Sequence, residues 1–197
     1  MRKAEIILAI LCLTGFILNL TGIPGGNILT ILSFTFLSMF YFYLGYVVLN
    51  NIPLRDMFKK QSYADISGLR IAGSVVAGFI LSLALIGIEF KLMMWPGGSG
   101  VLFSCITGFV LLGLISLIKY LKDYNVFYRN LLIRVVVIGA FILLFVVNPK
   151  VVMDIKYRNN PELLEAIKAS DADPDNEKLQ QKVNEEFEKM ERQETGR

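Results

Sequence analysis

The chain has 197 residues, of which 54% are hydrophobic and 19% charged, and its mean hydropathy is +0.55. A soluble domain carries roughly 25% charge, so the composition is that of a membrane protein with a small water-soluble part. There is no histidine, which excludes Ser-His and Cys-His nucleophile pairs as well as histidine-based zinc or haem ligation.

The two cysteines, Cys12 and Cys105, sit inside apolar runs and are read as packing residues. With no carboxylate pair and no phosphate-cradling loop in the spans, no cofactor and no enzymatic activity are expected. Charge is unevenly spread. Residues 1–150 hold 12 of the 20 Lys/Arg and 5 of the 17 Asp/Glu (+7), and residues 151–197 hold the other 8 and 12 (−4). No basic stripe with interleaved aromatics is visible, so nucleic acid is not an expected partner.

Five segments reach the roughly 17–25 apolar residues needed to cross a bilayer: about 4–23, 28–49, 69–90, 100–118 and 131–147. The first follows Arg2 and Lys3 as a signal peptide would. It is long for one and no small-x-small cleavage site ends it, so it is read as a membrane helix. Ser74-xxx-Gly78, Gly73-xxx-Ala77 and Ser104-xxx-Gly108 are small-xxx-small patterns that let helix backbones approach. No polar group is expected at mid-membrane depth.

The connections are asymmetric in charge. Arg2, Lys3, Arg55, Lys59, Lys60, Arg70, Lys119, Lys122, Arg129 and Arg134 fall on one side, and only Lys91 and Lys150 on the other. Positive loops face the cytoplasm. This places the N-terminus inside, the C-terminus in the periplasm and the chain in a bacterial inner membrane.

Two stretches repeat at an offset of 72 residues: Gly15 to Pro24-Gly25-Gly26, and Gly87 to Pro96-Gly97-Gly98. Each ends one helix and begins the next, so the unit is a hairpin with a tight outer turn, and the two hairpins run parallel. Proline cannot extend the helical ladder and glycine accepts the positive φ of a sharp reversal. The expected fold class is all-α: a polytopic bundle of five transmembrane helices, two parallel hairpin repeats plus one, with a C-terminal extramembrane helical tail. The outer turns, with Glu89, Lys91 and Trp95 at the second, form a candidate contact surface. Glu89 and Lys91 are expected to snorkel to the interface, the alternative being that Glu89 bonds a neighbouring helix or a partner.

The tail, 151–197, is polar and acidic. Asn160-Pro161-Glu162 reads as a capped helix start, and after a break at 170–176, Asp173-Pro174 reads as a second. There Leu179, Val183, Phe187 and Met190 form one apolar stripe. The tail looks too short to bury that stripe in a core of its own. The stripe is therefore expected to dock on the membrane body, pair with a second copy, or bind a partner protein.

The stretch Phe90-Lys91-Leu92-Met93-Met94-Trp95-Pro96-Gly97 resembles the Phe-Lys-Ile-Met-His-Trp-Pro-Gly turn of the gliding-motility family GldL. Met94 stands where that family has histidine, and 100–118 carries no acid where the family has a functional glutamate. The resemblance implies the membrane-embedded part of a motor serving gliding and type 9 secretion. The residues and the resemblance together give a non-catalytic inner-membrane subunit of an envelope complex. The alternative is a small transporter or channel built on parallel hairpins.

Overall fold

The computed structural model describes residues 2–93, 95, 98–147, 149–173 and 176–195. The fold is all-α. Five helices are long and apolar enough to cross a membrane: α1 (Arg2–Leu20), α2 (Gly26–Leu49), α3 (Gly68–Leu92), α4 (Gly98–Asp123) and α5 (Val126–Val147). Three more polar helices follow among the described residues, α6 (Pro149–Lys156), α7 (Pro161–Ala172) and α8 (Glu177–Thr195). The helices α1 to α4 pack each on the next, and α5 lies against α4 and α3. The N-terminus, the 50–67 connection and the 124–125 turn share the basic end of the bundle. The 21–25 turn, Trp95 and the tail share the opposite end.

The repeat seen in the sequence is also a repeat of contacts. A β-carbon on Gly15 would stand 2.9 Å from the Thr30 backbone nitrogen, and one on Gly87 would stand 2.7 Å from the Leu102 side chain. Both members shift by 72 positions. The same holds for Gly26 against Leu18 and Gly98 against Phe90. In each hairpin a glycine in the outgoing helix and another opening the return helix let the pair close. Within the first turn the positive φ falls on Gly22 (68°) and Gly25 (86°), while Gly26 is helical and is there for the contact. Pro96 and Gly97 of the second turn lie outside the described residues.

The central crossing is between α2 and α3. A β-carbon on Gly45 would lie 2.7 Å from the Gly78 Cα, and one on Gly78 would lie 2.6 Å from the Tyr41 carbonyl oxygen. Ser74 and Ala77 are fully buried beside them. Gly73, the other half of one small-residue pattern, faces open space, and Ser104 is exposed, so only the Ser74-xxx-Gly78 face makes this seam. In lipid, burying one more leucine gains little, because lipid tails are as apolar as leucine. Close backbone packing and interhelical hydrogen bonds are what remain.

Gly45→Leu is therefore expected to lose about 1–3 kcal/mol through overpacking. Gly73→Leu should stay within about 0.5 kcal/mol of wild type, as a surface change does. Unfolding midpoints of the two variants in mixed micelles check this, and equal midpoints would overturn the assignment of the crossing.

Candidate functional site

Three sets of polar side chains lie inside the bundle, at depths where the sequence promised only apolar ones. The strongest is at the basic end. Arg134 of α5 donates from Nε to Glu5 Oε1 at 2.5 Å and from Nη2 to Oε2 at 2.6 Å, a two-pronged ion pair with α1. Tyr41 of α2 donates its hydroxyl to the same Oε1 at 2.6 Å, and the remaining guanidinium nitrogen, Nη1, donates to the Asn130 carbonyl. All three side chains are nearly enclosed. The planar guanidinium fork fits a carboxylate on two oxygens, which a lysine at this position would not do.

Arg134, which reads in the sequence as one of the loop positives, sits inside α5, where its charge meets Glu5. Glu5 is a site residue that the sequence reading does not single out. The available signal was an acid in the first apolar run and an arginine in the fifth, each needing a partner.

At mid-bundle, Ser38 and Ser82 meet across the α2–α3 seam, oxygen to oxygen at 2.8 Å. Further toward the turn end, Thr35 donates to both oxygens of Glu89, at 3.0 and 3.3 Å. Glu89 is only 4% exposed. It does not snorkel; it turns into the bundle and takes its hydrogen bond from the neighbouring helix. The Asn19 and Asn27 amides pair beside the first outer turn. The expectation of a bundle without polar groups at mid-depth is thus corrected. Serines and threonines hide well in a sequence, because a helical hydroxyl can also return its proton to a carbonyl one turn back, as Thr30 does to Gly26.

The other outer-turn residues are grouped within their own hairpins. Lys91 is half-buried, Pro24 and Gly25 are exposed, and Gly98 is buried against Phe90 and Lys91. Trp95 meets Phe90 edge to face with centroids 5.2 Å apart. Cys12 and Cys105 are buried and unpaired.

The tail is a helical hairpin with its own small core. Tyr157, Leu163 and Ile167 are buried in it, and Val183, Phe187 and Met190 of the stripe pack on them. The Tyr157 and Phe187 rings meet edge to face at 5.8 Å. The tail is therefore long enough to give most of its stripe a partly buried face of its own, because α7 and the end of α6 supply the opposite side. Leu179, at the far end of the stripe, is partly buried like the others but lies outside that core.

Two starts differ from expectation. Asn160 precedes Pro161 without a side-chain cap bond. α8 begins at Glu177 rather than after Asp173, which instead ends α7 and accepts from the Asn176 side chain at 3.1 Å. Pro174 and Asp175 lie outside the described residues.

The hairpin is tied to the bundle by Lys156, whose ammonium donates to the Leu92 carbonyl at 2.8 Å. This carbonyl is among the last four of α3, which have no partner within the helix, and a lysine nitrogen can donate to it whether charged or neutral.

Removing one partner of the basic-end pair leaves a buried charge alone. Arg134→Met should cost about 3–5 kcal/mol, while Glu5→Met combined with Arg134→Met recovers most of the loss. A double-mutant cycle by micelle unfolding measures this, and simple additivity of the two single losses would refute the coupling.

A second expectation concerns pH. Burial pulls the Lys156 ammonium down to about 8 from its ordinary 10.5. Released from its seat, the tail binds that proton more tightly than when docked. Docking should therefore strengthen as pH rises above 8, up to about 10, where Tyr157, pushed upward by burial, opposes it. The urea midpoint of the tail's helical signal should rise across that window in wild type and stay flat in Lys156→Met.

No protein-family model, no curated protein and no solved structure matches this chain.

Proposed function

We propose that the chain is a non-catalytic subunit of a bacterial envelope complex, in which the five-helix bundle holds the tail hairpin at the outer face for a partner protein. The observation that carries this reading is the seat of the hairpin. α6 comes next after α5 and packs on α5 and α1, and the Lys156–Leu92 bond seats its end on α3, with α7 and α8 folded on each other beyond it. A tail displayed in one place raises the effective concentration of any docking surface on it.

The charge asymmetry of the connections supports an inner-membrane location with this end in the periplasm. The likeness of the Phe90–Gly97 stretch to the GldL turn supports secretion or motility as the setting. With Val183, Phe187 and Met190 turned onto the tail's own core, the contact surface is the Leu179 end of α8, which lies outside that core, together with the outer turn at Trp95. A second copy of the chain is the other occupant to which this surface is open.

A second reading, a small transporter or channel subunit, is favoured by the intramembrane pairs Thr35–Glu89 and Ser38–Ser82. Polar groups buried in a membrane commonly mark ion or substrate pathways.

A photo-cross-linking residue at position 179, with one at 62 as a control on the opposite side, tests the first reading. The expected result is a discrete adduct to another protein or a second copy from position 179 alone, lost in Phe187→Asp, which opens the hairpin core. Absence of any adduct at 179 in the native membrane, or the same adduct in Phe187→Asp, counts against a docking tail. Flux into proteoliposomes holding this chain alone, abolished by Glu89→Gln, would favour the transporter.

A further inference from the structure

α1 leans on α2, while α5 leans on α4 and α3. Between α1 and α5 runs a cleft of about 460 Å3. It is framed at both ends. The Glu5–Arg134 pair bridges the two helices at the basic end, and the Phe16 and Phe141 rings meet edge to face at 5.2 Å at the other. Leu85 and Ile88 of α3 form a buried floor, and Ile6 and Val137 line the walls, each about half exposed on the outside of the bundle. The mouth is lined by Arg2, Asn51 and Asn130.

The dimensions select the occupant. From Arg2 to Leu13 the α1 wall rises about 16 Å at roughly 1.5 Å per residue, close to half of a hydrocarbon core about 30 Å thick. The cleft lies open along that length to the surrounding hydrocarbon, with Ile6 and Val137 half exposed on its two walls. A single lipid chain in one leaflet has the right length. Charge then selects the headgroup. Arg134 is neutralised by Glu5, so the field at the mouth is set by Arg2 and the neighbouring Lys3, both exposed.

We propose that the α1–α5 cleft binds one acyl chain of an anionic phospholipid, with the headgroup phosphate held at Arg2 beside Asn130. The proposal stands apart from the subunit reading and holds whichever partner the tail has. The bound chain lies over the Glu5–Arg134 pair and completes its exclusion from water, while the headgroup sits at the interface where basic side chains attract anionic lipid.

Native mass spectrometry of the purified full chain, equilibrated with equimolar phosphatidylglycerol and phosphatidylcholine, tests it. Wild type should retain one phosphatidylglycerol in preference to phosphatidylcholine. Val137→Trp, which fills the cleft from its lipid-facing wall, should weaken retention about tenfold or more, equivalent to about 1.4 kcal/mol. Ile6→Trp blocks the cleft from the other wall and serves should the first variant unfold. Arg2→Gln should keep a lipid but lose the preference for the anionic one. Retention of both lipids equally by wild type, or undiminished retention in both tryptophan variants, overturns the proposal.

Discussion

Where α2 crosses α3, Gly45 and Gly78 bring two backbones so close that neither position has room for a β-carbon. Much of the interior follows from that approach. It sets the register in which Ser38 meets Ser82 and Thr35 meets Glu89, pairs that lie successively closer to the turn end along the same seam. Toward the basic end the same register brings the Asn50 side chain to the Ser74 hydroxyl at 3.0 Å and the Arg70 guanidinium to Asn50 at 2.9 Å. Arg70 also covers the Phe127 ring at 4.5 Å, which ties the start of α5 to the seam. A wider crossing would separate all of these groups at once.

The two halves of the molecule are held by different physics. In the spans, a leucine moved from lipid to protein changes its surroundings little, so specificity comes from glycine contacts and from a few hydrogen bonds that have no water to compete with. In the tail, water is the alternative. Leu163 and Ile167, fully buried, gain roughly 1.5–3 kcal/mol each, and the partly buried stripe of α8 gains less per side chain. The exposed Asp154–Lys168 bridge at 2.7 Å adds little beside that. Lys156 is where the two regimes meet, a cation leaving water to close the end of α3.

The two carboxylates buried among the described spans are held differently. Glu5 has a counter-charge on both oxygens and a tyrosine donor. Among the described residues Glu89 has the Thr35 hydroxyl as its donor. A carboxylate tied to an arginine is a structural link, while one held by a neutral hydroxyl is the kind of intramembrane acid that marks a pathway. This contrast gives the transporter reading its force, and it concentrates that reading on Glu89.

The sequence by itself determined the five spans, because crossing a bilayer requires a run of about 20 apolar residues and such a run is a local property. It also determined the repeat, since the glycines at 15 and 87 are required by the same hairpin contact, and the reversal at Gly25, whose φ of 86° favours glycine. A helix start at Pro161 was legible for the same local reason, that proline suits the first turn.

What the tertiary structure alone decided is which faces meet. A span apolar on every side carries no periodic mark of the side that turns inward, so the Gly45–Gly78 crossing and the exposure of Gly73 could not be read from spacing. Glu5 and Arg134 stand 129 positions apart, and only the placing of α5 beside α1 makes them partners. The stripe of α8 was visible, but its partner was not: Tyr157, Leu163 and Ile167 come from two other helices, and a buried face is known only when the chain has folded back to cover it.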